Sequence, residues 1–155
     1  MLWDTPYTEL DSLFHGENWT KLPSFEADAE ALAAGDRWIT EWGYWSSGVK
    51  QLLAGRAQLL VWLDLPRRVA LPRLIRRTVR RRVLREELWN GNVEPPLHTF
   101  FTRPDDNIIR WEMKTHDKWR ERMPSVIEEF PHLEVVRVGT ARELEAWLSG
   151  PASGA

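Results

Sequence analysis

The 155-residue chain contains no cysteine. This excludes disulfides and thiolate metal sites and fits a protein of a reducing cytoplasm, the localisation we expect. Long apolar runs are missing too, and Met1-Leu2-Trp3-Asp4-Thr5-Pro6 has neither the basic nor the apolar region of a secretory leader. No membrane partner is expected. An excess of charge of one sign is also lacking: 21 Lys and Arg face 23 Asp and Glu, for a formal net charge of −2. A general nucleic-acid coat would be basic overall, so any anion site here must be local. There is no internal repeat and no low-complexity segment. The length suits one hydrophobic core and is too short for two ordinary domains. We therefore expect one domain over residues 1–148 and a frayed tail over 149–155.

What is present is uneven. Acidic residues gather in the first third, whereas arginines crowd between Arg67 and Arg85. The apolar run Leu59-Leu60-Val61-Trp62-Leu63 reads as a strand, ends in Asp64-Leu65-Pro66 and feeds into an arginine-rich helix. At helical spacing Arg73, Arg76, Arg77, Arg80 and Arg81 fall on one side, and Leu71, Leu74, Ile75, Thr78 and Val79 on the other. The apolar side can pack on a sheet while the guanidinium groups point together. Arginine keeps its charge and binds phosphate through paired hydrogen bonds, so this arrangement suggests phosphate chemistry. A solvated charged face is the plainer alternative. Ten tryptophans are scattered along the chain. Most should pack in the core, with Trp19, Trp42 and Trp45 the ones placed to line a pocket.

Tyr7 to Leu10 reads as a short strand ending in Asp11, and Phe14 to Trp19 as a loop. A helix over Ala27 to Ala34 stops at Gly35, Arg37 to Thr40 is a strand ending in Glu41, and Gly43 and Gly48 bracket a turn into a helix at Val49 to Leu53. Pro72 should kink the arginine helix or mark its first turn. Asn90-Gly91 is a tight-turn dipeptide, Asp105 to Glu129 is helical in pattern, and Leu133 to Val138 is a last strand. Thr140 with Glu143 makes a capping box for the terminal helix. Strands alternating with helices argue for an α/β domain with a mostly parallel sheet, in which ligands sit beyond the carboxyl ends of the strands. Asp11, Glu41, Asp64 and the loop at Gly139 would share that edge with Arg73 and Arg77. Carboxylates meeting arginines suit a magnesium-bound polyphosphate.

Nearly the whole chain resembles the small P-loop kinases related to adenylate kinase, within them the branch labelled topology modulation proteins. The resemblance rests on Leu10-Asp11-Ser12-Leu13-Phe14-His15-Gly16 with Trp19, Trp38-Ile39-Thr40-Glu41-Trp42, Leu63-Asp64-Leu65-Pro66, Arg76-Arg77-Thr78-Val79-Arg80-Arg81-Arg82 and Leu88-Trp89-Asn90-Gly91-Asn92. It implies a P-loop nucleoside-triphosphate hydrolase/kinase fold of adenylate-kinase type, with a helical lid at 67–104. It implies ATP and Mg2+ as cofactors. Arg73 and Arg77 would act on the transferring phosphoryl group, Arg73 also touching the nucleotide, Glu41 would organise magnesium through water, and Gly139-Thr140 would cup the adenine. Asp11, His15, Trp19, Tyr44, Arg103 and Arg110 would face the substrate. Arg80, Arg81 and Arg82 read as redundant charge. The chain departs from the family in having no Gly-x-x-x-x-Gly-Lys-Ser/Thr loop. By resemblance, a strand-loop-helix unit of roughly 25 to 30 residues should precede Pro6, so the chain as written is expected to be an amino-terminally truncated, inactive form. Trp42-Gly43 departs from the family's glycine-led turn and leaves the acceptor open.

Two functional classes stay in play. One is an ATP-dependent kinase acting on a nucleotide or another small phosphate acceptor. The other is a nucleic-acid-binding or regulatory protein that lays its arginine helix on a phosphate backbone. Backbone binding should weaken uniformly with salt, whereas a kinase should prefer magnesium-nucleotide. The convergence of carboxylates with arginines favours the kinase.

Overall fold

A computed structural model of the protein describes residues 4–44, 48–96 and 108–150, excluding the side chain of Arg110. The architecture is mixed α/β. In chain order it runs α1 (Leu10–Phe14), α2 (Phe25–Ala34), α3 (Val49–Arg56), β1 (Leu59–Leu63), α4 (Arg67–Leu84), α5 (Ile108–Thr115), α6 (Lys118–Glu129), β2 (Glu134–Val138) and α7 (Ala141–Ser149). Short 3-10 turns stand at Glu17–Trp19 and Trp89–Gly91. Among the described residues no helix is long and apolar enough to cross a membrane.

The sheet is a parallel pair, in register from Leu59 opposite Glu134 to Leu63 opposite Val138. β1 forms where the β-branched and apolar run was expected, and Pro66 ends it by opening α4. On one face of the pair Leu60, Trp62 and Val135 pack against Met123, Val126 and Phe130 of the α6 region, with Leu133 and Ala54. A second cluster gathers Leu10, Phe25, Ala29, Ala33, Val49 and Leu53 from α1, α2 and α3. Phe25 and Leu10 have no exposed surface, and each such side chain contributes about 1.5–3 kcal/mol by leaving water. Trp42 packs against both clusters and donates its indole N–H to the Lys50 carbonyl at 3.3 Å, so it ties the helical half to the sheet half.

Several expectations are corrected. The strands anticipated at Tyr7–Leu10 and Arg37–Thr40 shrink to a single parallel bridge between Tyr7 and Ile39. Asp11 therefore lies in the first turn of α1, not at a strand end. Leu10 and Leu13, three apart, pack together on the α2 cluster, and that burial outweighs the extended tendency of a Tyr-Thr-Glu-Leu run. Of the segment expected to be helical from 105 to 129, residues 105–107 lie outside the described residues and the rest breaks into α5 and α6 at His116-Asp117. Pro72 does not mark the first turn of α4, which begins five residues earlier and runs through it. The sides of α4 also differ from the simple helical projection. Leu71, Leu74 and Thr78 turn inward, but Ile75 and Val79 are exposed, whereas Arg81 and Arg82 turn inward. The helix packs along α5, so the stripe it buries is set by a neighbouring helix and not by a sheet.

Candidate functional site

The arginines of α4 divide by their partners. Arg67 donates to the Met113 carbonyl at 3.0 Å and pairs with Asp117 at 3.3 Å. Arg80 pairs with Glu86 at 2.9 Å. Arg82 bonds Glu94 at 3.1 Å with its side chain 6% exposed, and Arg81 lies 3.9 Å from the same carboxylate and over the Trp89 ring. These inner arginines are part-buried structural ions, not the redundant charge expected of them. Arg73, Arg76 and Arg77 are exposed and have no carboxylate partner among the described residues. Spacings of one, three and four residues put them on one side of the helix.

Asp64, at the carboxyl end of β1, accepts three hydrogen bonds from two arginines. Its side chain is 6% exposed and accepts from Arg120 Nε at 2.7 Å and Arg137 Nε at 2.8 Å, with a further bond from Arg137 Nη2. Burial acts to raise its pKa, but the hydrogen bonds and charges of Arg120 and Arg137 outweigh it and hold the carboxyl below the usual range. Neither arginine was anticipated as its partner. They lie 56 and 73 residues away, and no local signal connects them.

A second group of polar side chains surrounds the start of α1. Glu41 Oε1 accepts from the amide of Leu10 at 2.6 Å and, more weakly, that of Asp11 at 3.4 Å, while Oε2 accepts from the Tyr7 hydroxyl at 2.9 Å. Glu41 thus serves as a remote cap for the helix, satisfying amides that have no intrahelical acceptor. The Tyr44 hydroxyl donates to Asp11 Oδ1. Burial, the Glu41 hydrogen bond and the charges of Glu41, Glu9 and Asp11 push the Tyr7 phenol up to about 12. Burial and Asp11 push Tyr44 higher still. Asp11, Glu41 and Tyr44 are therefore gathered, and Tyr7 joins them without having been singled out.

His15 and Trp19 sit in the neighbouring turn. The His15 ring meets Trp19 edge-on at 5.1 Å and stacks on Trp89 at 6.0 Å. Its Nδ1 is buried without a hydrogen-bond partner among the described residues. Asn92, 4% exposed, holds this turn to the one after α4: its Oδ1 accepts from the Trp19 amide at 2.9 Å, and its Nδ2 donates to Gly16 at 2.8 Å and Trp89 at 2.7 Å. Asn90, at φ 55° in the left-handed region, donates to the His15 carbonyl at 2.6 Å. An Asn-Gly pair in such a turn was legible, but its docking onto residues 12–19 was not.

No family model, curated protein or solved structure matches the chain.

The remaining residues singled out earlier can be placed as follows. Thr140 caps α7 by accepting from the Glu143 amide at 3.1 Å, and the Gly139 amide is held by Glu143 Oε2 at 2.8 Å. The capping box forms, with its return bond one residue earlier than usual. Arg103 and the side chain of Arg110 lie outside the described residues, as does Trp45. No hydrogen bond or ion pair joins Arg73 or Arg77 to Glu41, Asp11 or the Gly139-Thr140 turn among the described residues. Among the described residues, the Glu41 and Gly139-Thr140 groups expected to hold magnesium and adenine are engaged with protein partners. Both Glu41 oxygens are occupied by protein donors and the Gly139 amide is taken. No cluster of three His, Asp or Glu groups suited to a metal exists among them. What the arrangement can do chemically is bind an anion on α4 and hold two phenols protonated beside carboxylates.

Proposed function

We propose that this protein binds the phosphate groups of a nucleotide or comparable phosphorylated small molecule through Arg73 and Arg77, with Arg76 beside them. The binding would follow the manner of an adenylate-kinase-like phosphotransferase. One observation carries the reading: among the described residues α4 spends Arg67, Arg80, Arg81 and Arg82 on carboxylates and leaves Arg73, Arg76 and Arg77 exposed without one. A rigid helix presenting three such guanidinium groups on one side offers paired N–H donors in the geometry phosphate accepts. No phosphoryl-transfer step is assigned to the residues described.

Calorimetric titration of ADP, ATP and pyrophosphate, with and without Mg2+, tests the proposal. Binding that the Arg73→Ala/Arg77→Ala variant weakens by at least about tenfold, a loss of about 1.4 kcal/mol, is the expected result. No binding by any of the three abandons it. A second reading is favoured by the length of the helix. Its 18 residues span about 27 Å at the usual helical rise, and exposed Arg68 extends the basic row toward its start. A nucleic-acid backbone would suit that length. It would bind without sequence preference and with a steep fall in affinity as salt rises.

A further inference from the structure

The outer surface of α4 is divided along its length. Ile75, Val79 and Val83 follow one another at steps of four and are 39%, 40% and 61% exposed, so they form an apolar ridge of the kind that packs between helices. Exposed Pro72 continues the ridge toward the helix start. At about 3.6 residues per turn, Arg76, Arg80, Arg73 and Arg77 come next around the helix in that order, all exposed, with Arg76 bordering the ridge. The helix contains no acidic residue. Its complement stands on α2. There Phe25, Ala29 and Ala33 are buried against α1 and α3, and the opposite face exposes Ala27, Ala31 and Ala34, bordered by exposed Glu26 and Glu30. This helix contains no basic residue. Ala27 and Ala31 repeat the step of Ile75 and Val79, and Glu26 and Glu30 repeat that of Arg76 and Arg80. Glu26 and Arg80 have Lys21 and Glu86 as neighbours, whereas Glu30 and Arg76 have no ion-pair partner among the described residues.

We infer that the Ile75-Val79-Val83 ridge of one copy of this chain docks on the alanine face of α2 of a second copy, with Arg76 beside Glu30. Small side chains leave a row low enough to admit a ridge of larger ones from a facing helix. The arginine row lies on one side of the ridge and the glutamate row on the opposite-handed side of the alanine face, so parallel packing of the two helices puts arginines and glutamates together and antiparallel packing parts them. Pairing α4 with α4, or α2 with α2, would set like charges side by side. The contact is therefore head-to-tail, which builds a ring or an open row of copies. An unrelated acidic helix would need the same repeat of small and acidic residues that this chain already carries. Arg73 and Arg77 lie on the side of the basic row away from the ridge, so the contact leaves them open and does not rest on phosphate binding. One helix against one helix falls at or below the low end of stable interfaces, about 1,200 Å2, so the association is weak and depends on concentration.

The test is sedimentation equilibrium of the full chain between about 10 μM and 1 mM. The average mass should rise above the 18.2 kDa of one copy as concentration increases, and fall back toward it at high salt as the charges are screened. Arg76→Glu and Glu30→Lys should each weaken association by at least about tenfold, because each sets like charges together. An equimolar mixture of the two variants should associate as the parent does, since every contact between unlike copies again pairs opposite charges. On the unmodified chain, the methyl NMR signals of Ala27, Ala31, Ile75 and Val79 should move with concentration, while those of Leu63 and Met113, exposed elsewhere, stay fixed. That measurement decides the matter even if a variant does not fold. Four results overturn the inference: a mass of one copy at every concentration, association that neither substitution weakens, a mixture no better than either variant alone, or methyl shifts confined to α4. The last of these would make α4 meet its own counterpart and exclude α2 as its partner.

Discussion

Replacing Asp64 by asparagine should cost about 2–3 kcal/mol of stability at neutral pH. The carboxylate receives charge-assisted hydrogen bonds from Arg120 Nε at 2.7 Å, Arg137 Nε at 2.8 Å and Arg137 Nη2. Bonds to a charged group each contribute about 1.5–3 kcal/mol when fully buried. Here the acid is buried but its partners are not: the Arg120 and Arg137 side chains are 45% and 61% exposed. Both guanidinium groups stay hydrated when the acid is removed, which brings the cost well below the sum of the bonds. Asparagine keeps the shape and turns an N–H donor toward an arginine, so it deletes attraction without opening a cavity. Urea unfolding at neutral pH measures the difference directly.

The pH dependence gives an independent check. Asp64 is held below its ordinary value in the folded state, so its contribution is complete above the unfolded value of about 3.9 and is lost as pH falls through the lower folded value. The parent should therefore lose stability more steeply than Asp64→Asn below about pH 4. A variant within about 0.5 kcal/mol of the parent, or one with the same acid limb, would refute the assignment of Asp64 as the clamp between β1, α6 and β2.

Asn92→Ala should remove three hydrogen bonds from a residue 4% exposed and cost about 2–4 kcal/mol. Faster amide exchange in residues 16–20 would localise the loss to the docked turns. Arg82→Ala should destabilise by about 2–3 kcal/mol because it leaves Glu94 buried without its nearer partner. Arg76→Ala, on the exposed side, should stay within about 0.5 kcal/mol, and equal effects in the two thermal unfolding curves would contradict the division of α4 into inner and outer arginines. The chain has two tyrosines, and both phenols are raised by burial and by neighbouring acids. Ultraviolet titration should show no phenolate near pH 10 in the folded protein, with Tyr7 ionising at about 12. The stability this supplies is complete below about pH 10 and is lost above it, so alkaline unfolding should accompany ionisation. A normal phenolate transition in folded protein would show that the Glu41 and Asp11 contacts do not form.

Elements with a strong local pattern were legible in the chain. The apolar run at Leu59–Leu63, the alanine-rich helix stopped by Gly35, and the Thr140–Glu143 cap all form where expected, because their bonds close within a few residues or within one periodic face. The arginine helix was legible as a helix, but its division between structural and exposed arginines was not. Arg82 and Arg76 look alike in sequence, and only the position of Glu94 and the packing of α5 make the first a buried ion and the second a surface one. The short strands at Tyr7 and Ile39 were over-read because an extended pattern does not state how many neighbours will supply the ladder.

Composition by itself determined that disulfides play no part, that the charge is balanced, and that a concentrated block of arginine sits beside an apolar strand. These follow from residue counts and local order alone. Tertiary structure decided the rest, because each outcome depends on which distant groups meet. It joined Asp64 to Arg120 and Arg137, placed Glu41 on the amides of α1 rather than leaving it open, and docked Asn92 onto the turn of Trp19. A side chain's charge is written in the sequence. Whether that charge is buried, paired or offered to a ligand is set by partners tens of residues away, whose approach is governed by packing and by the need to satisfy buried polar groups.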